Sequence, residues 1–281
     1  MTLGVPMIKL ANHLFPKQQH PFNMQNDGTK TYAQWQYEMG KHTIAFYLDH
    51  YTAQDLFESK TVLDMGCGAA GKSLYYVSLG AKHVVGVDIV DAYRPEAEAF
   101  AESLGYSDRF TFVSGDILSL PLPEHHFDTI IMNDFMEHVQ NPAGVLIKAL
   151  TLLSDGGRIY INFPPYYHPF GAHLSDAISI PWVHLFFKEP TLIRAYQDLT
   201  AGLPDQKKRL DLRFSKDTSE REYISYINHM TIKKFQKLRL RLDASTDYYA
   251  EIPLRPYLSP LAKLPLLKEC VVKMVVCVLQ K

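Results

Sequence analysis

From Lys60 onward, short apolar runs alternate with helical segments, and this rhythm constrains the fold more than any other feature of the chain. "TVLDM", "HVVGVD", "FTFVSG", "FDTIIMN" and "RIYINF" read as strands. Between them lie "KSLYYVSLG", ending at Gly80, and "PEAEAFAESLG", where Pro95 suits a first helical turn and Gly105 a C-terminal cap. A third helix follows Asn141-Pro142 and stops at the "SDGG" turn. Strands that alternate with helices build βαβ units, and these pair into a parallel sheet. Regularity returns later with "TIKKFQKLRLRL" as a helix and "STDYYAEI" and "CVVKMVVCVL" as strands. The expected fold is therefore a doubly wound α/β architecture around a mainly parallel sheet of about seven strands.

The stretches outside this rhythm set the expected domain plan. Residues 1–59 form an N-terminal helical cap, with a helix around "YAQWQYEMGKHTIAFYLDHY". Residues 60–163 form the core. Residues 164–228 hold prolines, aromatics and histidines without a strand pattern, and read as a lid inserted after strand five. Residues 229–281 return to the core with its last helix and two strands. No internal repeat or low-complexity tract is present.

Inside the first strand–helix junction stands "GCGAAGKS", which satisfies two phosphate-binding patterns. Gly66, Gly71, Lys72 and Ser73 fit a P-loop; Gly66, Gly68 and Gly71 fit a dinucleotide fingerprint. The charge beside the loop opposes the first. Asp64 ends the first strand, and a carboxylate repels a polyphosphate by about 1 kcal/mol per charge pair at 4 Å even in water. It attracts a cation instead. "TIIMND" could mimic a strand ending in a magnesium-binding Asp134, so a nucleoside triphosphate stays an alternative on pattern alone. Asp88 ends the second strand at a spacing that suits a carboxylate accepting both hydroxyls of a ribose, whichever nucleoside carries it. The diphosphate of NAD is as poorly matched to Asp64 as a triphosphate is.

Extended to "VLDMGCG", and followed by "FTFVSGDILSLPLPEHHFDTIIMNDFMEHV", the loop resembles the class I S-adenosylmethionine (SAM)-dependent methyltransferases, particularly the widespread small-molecule group with a Rossmann-like core. The resemblance covers residues 60–163 well and the final helix and two strands more loosely. It implies SAM as cofactor and assigns Asp116 to the adenine amino group and the backbone N–H of Ile117 to an adenine ring nitrogen. The expected cofactor set is Asp64, Gly66, Gly68, Asp88, Ile89, Asp116, Ile117 and Asn133. The family's glycine pattern would place glycine at position 70, where this chain has Ala70; alanine is small enough to let the backbone approach a ligand. An NAD-dependent oxidoreductase and a non-catalytic SAM-binding module remain the alternative functions.

Transfer of a methyl group from a sulfonium needs no protonation of the leaving group, but a hydroxyl or acidic-carbon acceptor must lose a proton. The segment "FPPYYHPFGAHLSDAISIPWVHLFF" supplies His168, His173, Tyr166 and Tyr167 directly after strand five, where the crevice of such a sheet opens. His173 and His168 are the expected bases; His184 sits deeper. Each has a bland reading as a lid-core histidine bonded to backbone. "DFMEH" is similar to the E-x-x-E-H arrangement of metal-dependent O-methyltransferases. On a helix, Asp134, Glu137 and His138 would share one face and could hold a divalent metal. In metal-free relatives Glu137 and His138 would orient the loop instead. The metal assignment stays open.

Composition limits the partners. The 281 residues are 47% hydrophobic, ample for a sizeable core, and the net charge of −1 gives no general attraction for polyanions. The basic strip Lys207, Lys208, Arg209 and Arg213 reads as a solvated face rather than a nucleic-acid site. The 3 cysteines lack C-x-x-C spacing, so neither a disulfide framework nor a structural zinc site is expected. The N-terminus lacks a signal-peptide pattern, and the tail "CVVKMVVCVL" is too short to span a bilayer. A small-molecule methyl acceptor, no membrane partner and a cytoplasmic setting follow as expectations; the oligomeric state is not encoded visibly.

Overall fold

The computed structural model describes the chain apart from residues 1, 2, 19, 27 and 266 and the side chains of residues 24–26. The chain divides into two compact units. One, here called the sheet unit, comprises 30–163, 233–252 and 274–281; the other, the helical unit, comprises 1–29, 164–232 and 253–273.

Nine strands are described. β1 (Thr61–Met65), β2 (His83–Asp88), β3 (Phe110–Ser114), β4 (Phe127–Asn133) and β5 (Leu153–Phe163) come in succession. A short pair, β6 (Phe214–Lys216) and β7 (Glu222–Ile224), precedes β8 (Ser245–Pro253) and β9 (Val272–Gln280). The large sheet has seven strands in the order β3-β2-β1-β4-β5-β9-β8. β1 to β5 pair in parallel, whereas β9 runs antiparallel to β5, with Phe163 opposite Val275 and Arg158 opposite Gln280. The strand order reverses at β1/β4, which is where the carboxyl ends of such a sheet open a crevice for ligands. The parallel strands are apolar on both faces because helices cover both, so Val62, Leu63, Ile130, Ile131, Ile159 and Ile161 are all buried.

The helix Tyr32–Ile44 starts at a capping box, with Thr31 and Gln34 exchanging side-chain and backbone hydrogen bonds. It lies on the helix Gly71–Ser78 at very short range. A side chain at Gly40 would collide with the Tyr75 ring, and one at Gly71 with the Ala33 carbonyl oxygen. The glycine of the "GKS" triplet is thus needed for helix approach. Beneath β4 and β5 lies a buried polar network: Tyr47 Oη donates to Asn133 Oδ1 at 3.2 Å, Asn133 Nδ2 to Tyr76 Oη at 2.7 Å, and Asn162 Nδ2 to Tyr47 Oη at 2.9 Å.

Three local expectations need correction. β5 begins at Leu153, because the "SDGG" stretch carries a register irregularity between the Phe127 and Thr129 pairings instead of a free turn. The "EHV" stretch is a turn and not the start of a helix. Asp134 has φ +50°, outside helical geometry, and the next helix, Pro142–Leu152, starts where Asn141 Oδ1 accepts the Gly144 N–H at 3.0 Å. Residues 1–59 do not form one cap, since 1–29 belong to the helical unit and 30–59 to the sheet unit.

In the helical unit, the helix Gly4–Asn12 buries Ile8 among Leu192, Ile193 and Tyr196 of the helix Glu189–Leu199. Asn12 donates to Ala177 O at 2.8 Å and accepts from Ser179 N at 2.7 Å. β6 and β7 form an antiparallel ribbon inside the segment that showed no strand pattern. Strands of 3 residues are too short to display alternation. The basic strip is likewise not one solvated face. Lys207 and Lys208 are exposed, but Arg209 and Arg213 are buried. Their i, i+4 spacing on the helix Gln206–Arg213 turns both guanidiniums to one carboxylate: Arg209 Nη1 meets Asp176 Oδ2 at 2.8 Å and Arg213 Nη2 meets Oδ1 at 2.9 Å. Tyr196 Oη donates to the same carboxylate at 2.6 Å, and Phe22 lies 5.1 Å from each guanidinium.

Removing one member of such a cluster strands buried charge. Asp176→Ala should therefore lower stability by about 3–5 kcal/mol, read from urea unfolding midpoints, whereas Lys207→Ala should leave the midpoint nearly unchanged.

Candidate functional site

The loop after β1 is held in shape from inside. Gly66 and Cys67 donate their N–H groups to Val87 O, at 2.8 and 3.1 Å. Gly68 N donates to Asp88 Oδ2 at 2.8 Å, Ala70 N to Cys67 O at 3.0 Å, and Gly71 N to Gln36 Oε1 at 3.2 Å. Gln36 also donates its Nε2 to Cys67 O at 3.2 Å, so one amide grips both ends of the loop. A phosphate cradle needs several backbone N–H groups aimed at the ligand. Here five of them are already engaged within the protein.

The rest of the P-loop pattern is engaged too. Lys72 Nζ reaches Asp134 Oδ2 at 3.1 Å, and the buried Ser73 donates to Asp64 Oδ2 at 2.6 Å. The match to G-x-x-x-x-G-K-S therefore comes from helix packing and internal bonding. Gly66 and Gly68 adopt φ +80° and +57°. A Cβ at Gly68 would also meet Gln36 Nε2 at 2.8 Å, so the position is restricted twice over. Ala70 takes the family's glycine position with φ +62°, a left-handed conformation that an L-residue adopts at a cost.

Two carboxylates flank the loop. Asp64 is buried, and this burial pushes its carboxyl up to about 6 despite the Ser73 hydrogen bond and nearby Lys72. Asp88 is also held above its ordinary value by burial, against the N–H groups of Val90 and Gly68 that favour its charged form. Ile89, beside it, is a large apolar side chain left exposed. Asp116 is exposed at the turn after β3, where its Oδ1 accepts the Leu118 N–H at 3.0 Å, and Ile117 is buried. These residues all lie at the carboxyl ends of β1, β2 and β3. Asn133 ends β4, but its side chain is committed to the buried network with Tyr47, Tyr76 and Asn162.

The three "DFMEH" candidates do not share a helical face. Asp134 turns to Lys72, while Glu137 Oε1 and His138 Nε2 lie 3.7 Å apart. Glu137 is buried, and burial, with Asp134 nearby, holds its carboxyl well above the usual range. The histidine candidates belong to the helical unit. His168 Nδ1 accepts the Phe170 N–H at 3.2 Å, and burial pushes the imidazole down to about 4. Its proton then resides on Nε2, which makes that nitrogen a donor and a poor base. His184 Nε2 lies 2.9 Å from Tyr166 O, and burial lowers its pKa as well. Tyr166 stacks obliquely on His184 and His229, and Tyr167 is exposed. His173 has φ +53°, and its carbonyl accepts Arg213 Nε at 3.2 Å.

The sequence reading missed Gln36, which shapes the loop from the preceding helix. The capping box at Thr31 signalled a helix start, but no local pattern ties that helix to the loop.

Comparison with known proteins agrees with this geometry. Residues 63–161 match the family described as a methyltransferase domain. Among curated relatives, a sterol 24-C-methyltransferase of Pneumocystis carinii is 32% identical over 117 residues, 41% of this chain and 31% of that protein. Protein arginine N-methyltransferase 1 of Saccharomyces cerevisiae is 36% identical over 110 residues, 38% of this chain and 31% of that one. A probable tocopherol O-methyltransferase of Oryza sativa is 28% identical over 102 residues, covering 36% and 28%. The match spans less than a third of each of these relatives. Two SAM-dependent methyltransferase structures share the fold. One, from Methanosarcina mazei, has a TM-score of 0.51 at 20% identity over 81% of this chain and 95% of that one. The other, described as putative and from Listeria monocytogenes, has a TM-score of 0.52 at 15% identity over 86% and 97%.

The buried Asp64 gives the ligand-free protein a specific pH signature. Its folded-state pKa, about 6, exceeds the ordinary 3.8, so the stability it contributes is full below about pH 4 and is lost as pH rises through about 6. Between about pH 4 and pH 7, wild type should lose about 2.4 kcal/mol relative to Asp64→Asn, measured by urea unfolding at each pH.

Proposed function

We propose that this chain transfers the methyl group of SAM to a small-molecule acceptor. The observation that carries the reading is the glycine loop, whose N–H donors turn inward while two carboxylates flank it. That arrangement offers nothing to a di- or triphosphate and suits a ligand with an ammonium, a sulfonium and a free ribose. It weighs against both the NAD and the ATP readings. In this proposal Asp64 favours the cationic amino-acid end, and Gly66 and Gly68 let the backbone come close. Asp88 accepts the ribose hydroxyls with its remaining lone pairs. Ile89 flanks the adenine, and Asp116 and the Ile117 N–H read its edge. Asn133 contributes by fixing the crevice floor through its network.

The acceptor is assigned to the helical unit, with residues 164–228 as its lid. The sterol and tocopherol named for two relatives are apolar ring compounds, and the aromatic lid composition supports an acceptor of that kind. A protein arginine, named for another relative, is the second reading. Holding methyl and nucleophile in line supplies at best about 7–11 kcal/mol of the acceleration. His173 is the proposed base, since His168 is bonded through its only basic nitrogen. A cytoplasmic setting belongs to the same proposal.

Titration calorimetry should show binding of SAM and S-adenosylhomocysteine and no binding of ATP or NAD. Asp88→Ala should weaken SAM binding by about 1.5–3 kcal/mol, the worth of hydrogen bonds to a charged group. Tight ATP binding without a SAM signal would overturn the assignment.

His173→Ala should leave SAM affinity intact and lower turnover about 10²–10⁴-fold, the usual effect of losing a general base. Unchanged turnover would leave positioning alone as the catalytic device.

A further inference from the structure

The helical unit begins with a helix that is apolar on both sides. On the Gly4–Asn12 helix, Val5 and Ile8 join the unit's core. Leu3, Met7, Leu10 and Leu14 recur at helical spacing on the other side and are 81, 58, 75 and 82% exposed. A solvent-facing helix side normally carries polar residues, and a contiguous exposed apolar stripe marks an interaction surface.

The stripe has neighbours of the same character. Phe186, 77% exposed, sits on the short helix Val183–Phe186. At one end of that helix Trp182 Nε1 donates to Cys270 O at 3.3 Å; at the other, the Phe187 ring lies against Gly4. This helix therefore links the N-terminal helix to the segment 253–273, where Tyr257, Leu261, Leu264 and Leu267 are exposed.

The stretches that carry these side chains are cationic within themselves, with acids at their borders: Asp27, Glu189 and Glu269 follow them in sequence, and Asp198 reaches Lys9. Residues 1–26, 178–188 and 253–268 contain no Asp or Glu. They hold Lys9, Lys17, Lys188, Arg255, Lys263 and Lys268, of which Lys9 pairs with Asp198. In a protein of net charge −1, this is a local concentration of cations among exposed leucines and aromatics.

We propose that these three segments form a docking surface for an anionic lipid bilayer. The apolar side chains enter the headgroup boundary while the lysines and arginine meet lipid phosphates and carboxylates. Among the described residues no helix is long and apolar enough to cross a membrane, so the contact is peripheral. Such a contact requires no membrane span. A second copy of the chain is the poorer occupant. In a two-fold contact the same surface faces itself, and its cations would oppose one another.

The test is flotation of the full chain with phosphatidylcholine vesicles and with vesicles that also contain phosphatidylserine. The protein should float with the phosphatidylserine vesicles, and raised salt should weaken the association. Lys263→Gln should lower the partition coefficient about fivefold, the equivalent of about 1 kcal/mol per cation near an anionic surface. Phe186→Glu should abolish flotation with an unchanged unfolding midpoint. Leu14→Asp, at an exposed turn, serves if Phe186→Glu lowers that midpoint. Absence of flotation with either vesicle, or equal flotation of wild type and variants, would overturn the proposal. So would a dimer in gel filtration that Leu14→Asp dissociates, since a second copy would then be the occupant.

Discussion

The carboxamide of Gln36 is the contact on which the rest of the site depends. It accepts from Gly71 N and donates to Cys67 O, and so fixes the glycine loop at both ends against the preceding helix. Burying an amide between two backbone groups is favourable only if both partners are met, and here they are. The approach that brings Gln36 there is possible because Gly40 and Gly71 carry no side chain. With Gln36 in place the Gly71 N–H is held inside the protein, and Asp64 and Asp88 flank the loop through their bonds to Ser73 and Gly68. Loop chemistry follows from helix packing.

This dependence explains how a phosphate-loop pattern can occur in a loop whose backbone donors are engaged inside the protein. Gly71, Lys72 and Ser73 each have a structural use: close helix contact, an ion pair with Asp134, and a hydrogen bond to buried Asp64. A short motif records residue types, whereas the direction of each N–H is set by partners far away in sequence.

The parallel core was legible because its strands are buried on both faces, and glycine follows β1 and β3 while Asp88 and Asn133 end β2 and β4. The strand segments quoted from β1 to β4 coincide with those observed, apart from the last residue of β3. The helical unit was not legible for equally physical reasons. It is assembled from three separate stretches, so no single window holds a complete apolar face. Its ribbon is too short to alternate. Arg209 and Arg213 looked like surface residues because their partner, Asp176, lies on another loop, and periodicity cannot report a buried ion pair. The loss of helix at "DFMEH" was hidden similarly, since the left-handed turn at Asp134 is fixed by the Asn162 carbonyl and by Lys72.

The position of β9 has a consequence for how the chain acquires its structure. In the sheet β9 lies between β5 and β8, although it follows both in sequence. Until it arrives, β5 has an open edge and β8 has no partner on which to form. An unpaired edge is a template for the wrong strand, and pairing over a long sequence separation is slow. The five parallel strands can assemble as soon as they emerge, but the sheet closes only when a distant segment slides into a slot between two elements already made. The interval before that insertion is the period in which this chain is most exposed to aggregation, and the apolar run "VVKMVVCVL" is the segment that most needs its slot.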